Sequence, residues 1–141
     1  MKEKIEKKTI LLNQINKACS LYLKKEYICA LTLGGSAESM SEGLLSAEGS
    51  ESYSDLFVKF KRTLTEWLGN ESPKKNVIIK GKNWSRNVIK HHDKGDDATI
   101  EIDLKFESFI VLKSCLENYQ KLGFGLTPVM RQFNKETRDL G

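Results

Sequence analysis

The stretch Ile100-Glu101-Ile102-Asp103-Leu104-Lys105-Phe106-Glu107-Ser108-Phe109-Ile110-Val111-Leu112-Lys113-Ser114-Cys115-Leu116-Glu117-Asn118-Tyr119-Gln120-Lys121-Leu122 carries two incompatible periods. Ile100, Ile102, Leu104 and Phe106 alternate with Glu101, Asp103 and Lys105, the period of a strand, whereas Phe109, Leu112, Leu116 and Tyr119 recur at helical steps. A lone strand is not stable without a sheet to join. The only other β-favouring run, Val77-Ile78-Ile79, has no partner run nearby and reads as loop or irregular chain. The stretch therefore reads as an extended lead-in followed by a helix over 104–122 that Gly123 ends, and the chain reads as all-α.

The rest of the chain fits that reading. From about Glu3 to Lys25 the apolar residues Ile5, Leu11, Leu12, Ile15, Ala18, Cys19, Tyr22 and Leu23 follow the period of an amphipathic helix. A second helix runs from about Tyr27 to Leu45. It contains Gly34-Gly35-Ser36-Ala37, where each glycine costs about 1 kcal/mol of helix propensity relative to alanine, so close approach of another helix is the expected compensation. Glu38 closes this run and is expected on a solvated or ion-paired face. Residues 46–54 have loop composition and are expected to be flexible. Ser54-Asp55 is expected to cap a third helix reaching Leu68, with Leu56, Phe57, Phe60, Leu64, Trp67 and Leu68 as a wide apolar stripe. A short helix is expected over Asn83–His92, and Thr127-Pro128 opens a terminal one. The predicted architecture is a single domain over 1–141, a bundle of about five to six helices.

Composition narrows the function classes. At 141 residues, with 30% charged and 39% hydrophobic residues, the chain suits one globular domain and has no apolar run long enough for a bilayer. The basic N-terminus lacks the pattern of a secretory signal, so a cytoplasmic location without membrane partners is expected. Cys19, Cys29 and Cys115 are too scattered for a disulfide framework or a zinc site, and each reads as a small buried apolar residue. A net charge of +4 is a weak pointer to nucleic acid.

Chemically capable residues crowd into Asn83-Trp84-Ser85-Arg86-Asn87-Val88-Ile89-Lys90-His91-His92-Asp93, which holds both histidines of the chain. On an ideal helix Trp84, Asn87, Val88 and His91 share a face, while Arg86 lies roughly 140° from His91. A forked arginine can hold phosphate oxygens, and an imidazole can exchange a proton with a ribose 2′-OH or a departing 5′-oxygen. Together these suit metal-independent RNA cleavage, with Arg86, His91 and Asn87 as catalytic candidates and Lys90, His92 and Trp84 as binding candidates. The divergence of Arg86 from His91 favours a dimer cleft. The structural alternative is a helix-end histidine with Arg86 paired to a nearby acid. A metal site built from His91, His92, Asp93, Asp96 and Asp97 is disfavoured because adjacent histidines splay apart on a helix, and no cofactor is expected.

Arg86-Asn87-Val88-Ile89-Lys90-His91 resembles the Arg-x(4–6)-His motif of the HEPN superfamily, including the polar residue after the arginine. That resemblance implies a HEPN-like all-helical domain acting as a homodimeric, metal-independent endoribonuclease or toxin/defence-type RNA-binding protein, with RNA and an antitoxin-type protein as partners. The toxin branch often carries a tyrosine two positions after the histidine; here Asp93 stands there. Ala30-Leu31-Thr32-Leu33-Gly34-Gly35-Ser36-Ala37-Glu38, with Asn87, Lys90, His91 and Asp93, is also similar to uncharacterised bacterial helical proteins with a Lys-His-x-Asp stretch. That likeness implies no activity, and a non-catalytic helical interaction module is the competing expectation.

Overall fold

The computed structural model describes residues 1–140, and all regular structure among them is helical: α1 (Lys7–Leu23), α2 (Tyr27–Ala47), α3 (Tyr53–Trp67), α4 (Lys75–Lys82), α5 (Trp84–Val88), α6 (Leu104–Lys121), α7 (Pro128–Glu136) and a closing 3-10 turn, Arg138–Leu140. The all-α class holds, with more and shorter helices than the sequence suggests. Val77-Ile78-Ile79 is helix rather than irregular chain, since it lies within α4. The short helix expected over Asn83–His92 ends at Val88.

The long helices form the core. α2 packs along both α1 and α6, and α7 closes over α1. Leu11, Ile15 and Ala18 of α1 meet Ala30 and Leu31 of α2, Leu112, Cys115 and Leu116 of α6, and Met130 and Phe133 of α7, all essentially inaccessible to solvent. Tyr22 stands edge-on to Phe133, with ring centroids 5.0 Å apart. Burial of this apolar surface is the main drive for folding, at roughly 25 cal/mol per Å².

The conflict in the 100–122 stretch resolves as expected. Residues 100–103 belong to no strand or helix, the Asp103 side chain accepts from the Phe106 N–H at 3.0 Å, and α6 begins at Leu104. α7 starts with the expected Thr127 cap and first-turn Pro128, and the Thr127 hydroxyl donates to Asn16 Oδ1 at 2.6 Å to hold α7 on α1. For α3 the cap is Ser52 rather than Ser54. Ser52 Oγ accepts from the Asp55 N–H at 3.1 Å while Asp55 accepts from the Ser52 N–H at 3.0 Å, a reciprocal capping box. The backbone N–H of Ser52 is the main reason the Asp55 carboxyl titrates below the ordinary aspartate range.

Four helix ends share one device. After α2, α3 and α6 a glycine at positive φ (Gly49, Gly69, Gly123) closes the paired backbone bonds that satisfy the last carbonyls. After α1 the same bonds, Lys25 N–H to Tyr22 O and Glu26 N–H to Leu21 O, are made with Lys25 at φ +64°. A side chain there costs about 1–2 kcal/mol that glycine avoids.

Candidate functional site

The small-residue run of α2 faces two neighbours at once. A Cβ on Gly34 would sit 3.1 Å from Val111 Cγ1 and 3.2 Å from Leu112 Cδ2 of α6, and the Cys115 thiol donates to the Gly34 carbonyl at 3.1 Å. A Cβ on Gly35 would sit 3.1 Å from Arg86 Cβ and 3.4 Å from its Cδ. The stem of Arg86 therefore lies across α2 in the space the missing side chain leaves. Close helix approach is the compensation the glycines required.

That placement carries the Arg86 guanidinium to Glu38. The Glu38 side chain is 1% exposed; its Oε1 accepts from Arg86 Nη1 at 2.5 Å and its Oε2 from Lys82 Nζ at 2.8 Å. Lys82 and Arg86 are themselves only 5% and 13% exposed. One buried carboxylate thus clamps the end of α4 and the middle of α5 onto α2. Lys82 Nζ also stands 5.9 Å over the ring of Tyr53, the first residue of α3.

The polar seam continues along α2. Ser41 donates to the Glu38 carbonyl at 2.8 Å and accepts from Asn118 Nδ2 at 3.0 Å, and Asn118 Oδ1 accepts from the Tyr53 N–H at 2.7 Å. Ser54 donates to Glu42 Oε1 at 2.7 Å. Ser41, Ser54 and Asn118 are buried, so these bonds satisfy groups that would otherwise be desolvated without partners. Burial pushes the Cys115 thiol well above its usual range, and the Glu38 carboxylate adds to the shift.

Trp84, Asn87, Val88 and His91, expected on one helical face, do come together, although α5 ends at Val88 and His91 lies beyond it. All four residues line one open cleft of about 1040 Å³, together with Lys80, Lys90 and His92. Arg86 does not line it. The Arg86–His91 pairing expected for phosphate chemistry is therefore divided between a buried ion cluster on one side of α5 and an exposed segment beyond its end. Asp93, Asp96, Asp97 and Glu101 line the same cleft, so carboxylates outnumber its lysines and oppose a phosphate backbone. His91, His92, Asp93, Asp96 and Asp97 form no metal-ligand cluster among the described residues.

The α3 stripe is placed unexpectedly. The helix lies on the bundle through Ser54 and Val58, leaving Leu56, Phe60, Leu64, Trp67 and Leu68 exposed, Phe60 by 65% and Trp67 by 80%. Val77 of α4, 59% exposed, adds to the exposed apolar surface. α3 carries the most exposed large apolar side chains of any helix among the described residues.

No protein family, curated protein or solved structure matches the chain.

Sequence periodicity identified the stripe but not its exposure; the signal available was the serine-bearing opposite face, which here carries the contact. Glu38 was expected on a solvated or ion-paired face, and it is ion-paired but fully buried. Cys19 and Cys115 are buried as expected, but Cys29 is exposed, because it falls on the outer side of α2. No described helix is long and apolar enough to cross a membrane.

Proposed function

We propose that this chain is a non-catalytic helical interaction module that recognises a protein partner through the apolar face of α3. The observation that carries the reading is the outward stripe Leu56, Phe60, Leu64, Trp67 and Leu68, which the fold leaves uncovered although α3 is firmly capped and bonded to α2 and α6 at its first turn. Large aromatic anchors in an apolar patch are the residue types that dominate binding energy at protein interfaces. The buried Glu38–Lys82–Arg86 cluster supports this face indirectly, fixing α4 and α5 against α2 while Lys82 stands over Tyr53 at the start of α3.

The test is a photo-crosslinking residue at position 60 or 64 in living cells, with one at Lys17 on the outside of α1 as control. Discrete adducts from the α3 positions and none from Lys17 support the reading. Absence of adducts from α3, or the same adducts from all three positions, overturns it.

A second reading, HEPN-like metal-independent RNA cleavage, is favoured by one observation: Asn87 and exposed His91 line the same open cleft as Trp84 and Lys90. In that reading a homodimer supplies RNA contacts that one chain lacks, and an antitoxin-type protein is its partner. It predicts RNA cleavage in EDTA that His91→Ala abolishes. His91 is the informative position because the Arg86 side chain is tied to Glu38 and its removal disturbs the fold. RNA left uncut, or cut equally well by His91→Ala, removes this reading.

A further inference from the structure

We infer that the protein partner on the α3 face is acidic at its point of contact: a segment whose apolar side chains cover Phe60, Leu64 and Trp67 while its carboxylates meet lysines of α3 and α4. This rests on the interaction-module reading and adds the chemistry of the partner.

The positive charge of the chain is concentrated in the helices that carry this face. From Tyr53 to Lys82, the span of α3 and α4, seven lysines and arginines stand against three aspartates and glutamates, while the rest of the chain holds sixteen of each. The whole net charge of +4 therefore falls in the span that also exposes Leu56, Phe60, Leu64, Trp67, Leu68 and Val77. A surface field of one sign selects partners of the other and repels those of its own.

Internal pairing leaves the excess uncovered. Lys59 is bonded to Glu51, Lys75 to Asp55 and Lys82 to Glu38. Lys61, Arg62, Lys74 and Lys80 are exposed and form no ion pair with the described residues. Of the three carboxylates in the span, Asp55 is held in its capping box and by Lys75, and Glu66 accepts from the Ser72 hydroxyl, which leaves only Glu71.

Two of the uncovered cations give the inference its geometry. Lys61 stands four residues after Phe57 and three before Leu64, and at 100° per residue it lies roughly 20° from Leu68 around α3. It is therefore at the edge of the stripe, within reach of a carboxylate on whatever covers those side chains. Lys74 is the N-cap of α4 and Lys75 its first residue, at the end where the helix dipole opposes cations. Local helix stability does not account for that placement, and an anionic neighbour relieves it. Leu56, Leu64, Leu68 and Val77 give bases no stacking surface, so the mixed patch suits an acidic protein segment rather than a nucleic acid.

The experiment places a photo-crosslinker at position 64 of the full chain in a lysate of the host cells, at about 50 and about 400 mM salt, and identifies the cross-linked peptide by mass spectrometry. The captured peptide is expected to hold more aspartate and glutamate than lysine and arginine, and the yield to fall at least about fivefold at the higher salt. At low salt, Lys61→Glu/Lys74→Glu is expected to lower the yield by a similar factor with unchanged helical content and melting. Lys17→Glu/Lys135→Glu, the same charge change at exposed positions of α1 and α7, is expected to alter it less than about twofold. A neutral or basic captured peptide, a yield indifferent to salt, or equal losses from the two charge pairs overturns the inference and leaves the interaction-module reading intact. An adduct with nucleic acid or lipid, or no adduct, removes both. The salt and peptide readings need no charge variant, so a misfolded one does not spare the inference.

Discussion

Removing the carboxylate of Glu38 should be among the most damaging single changes in this protein. Glu38 is 1% exposed on its side chain and faces two cations that are themselves 5% and 13% exposed, so Glu38→Leu strands Lys82 and Arg86 without their counter-charge. Breaking a buried ion pair from one side costs about 3–5 kcal/mol, whereas replacing the whole group by apolar residues of similar volume is often neutral or stabilising. We expect Glu38→Leu to lose about 4 kcal/mol and Lys82→Met less, since Arg86 still holds the carboxylate. The triple variant Glu38→Leu/Lys82→Met/Arg86→Met should recover most of the loss. Urea unfolding followed by circular dichroism measures each variant. With a slope of about 1.5 kcal/mol per M, the Glu38→Leu midpoint falls by roughly 2.5 M. A Glu38→Leu loss below about 1 kcal/mol, or a triple variant no better than Glu38→Leu, would refute a buried cluster held by mutual charge.

Lys25→Gly relieves the one positive-φ side chain among the described residues and is expected to stabilise by about 0.5 kcal/mol, after the added freedom of the unfolded glycine is subtracted; an unchanged or lower midpoint in the same assay counts against it. Of the three thiols only Cys29 is exposed, while burial pushes Cys19 up to about 12 and Cys115 well above its usual range. A disulfide reagent at pH 8 should therefore titrate a single thiol quickly and the other two at the rate of unfolding; rapid reaction of all three would show the core to be open. Asp55 has a lowered carboxyl in its capping box, so its stabilising contribution is present above the unfolded aspartate value near 3.9 and disappears as pH falls through the lower folded value. Asp55→Asn should cost about 1 kcal/mol at pH 7 and show a weaker loss of stability in acid than the wild type; parallel pH profiles would contradict that role.

The large helices were legible because their signals are local. Phe109, Leu112, Leu116 and Tyr119 keep a helical period, and Asp103 and Thr127 are residues that cap helices. α4 was not legible because its apolar residues, Val77, Ile78 and Ile79, are contiguous and all β-branched. Its helical form is supported by contacts with α3 and by the Lys82–Glu38 pair. The direction of Arg86 was half legible. Helical geometry separated it from His91, but its acceptor lies 48 residues earlier, a distance no local pattern spans. The α3 stripe was clear as a period, yet a period states which residues share a face and not what covers that face.

The most direct measurement sets two exposed residues against each other in one cellular assay: adduct yield from a photo-crosslinker at position 64 in chains carrying Trp67→Glu or His91→Ala. If α3 is the recognition surface, Trp67→Glu removes the adduct and His91→Ala leaves it at the parent level. Retention with Trp67→Glu, or loss with His91→Ala, would contradict recognition through α3 and move the function to the cleft beside α5.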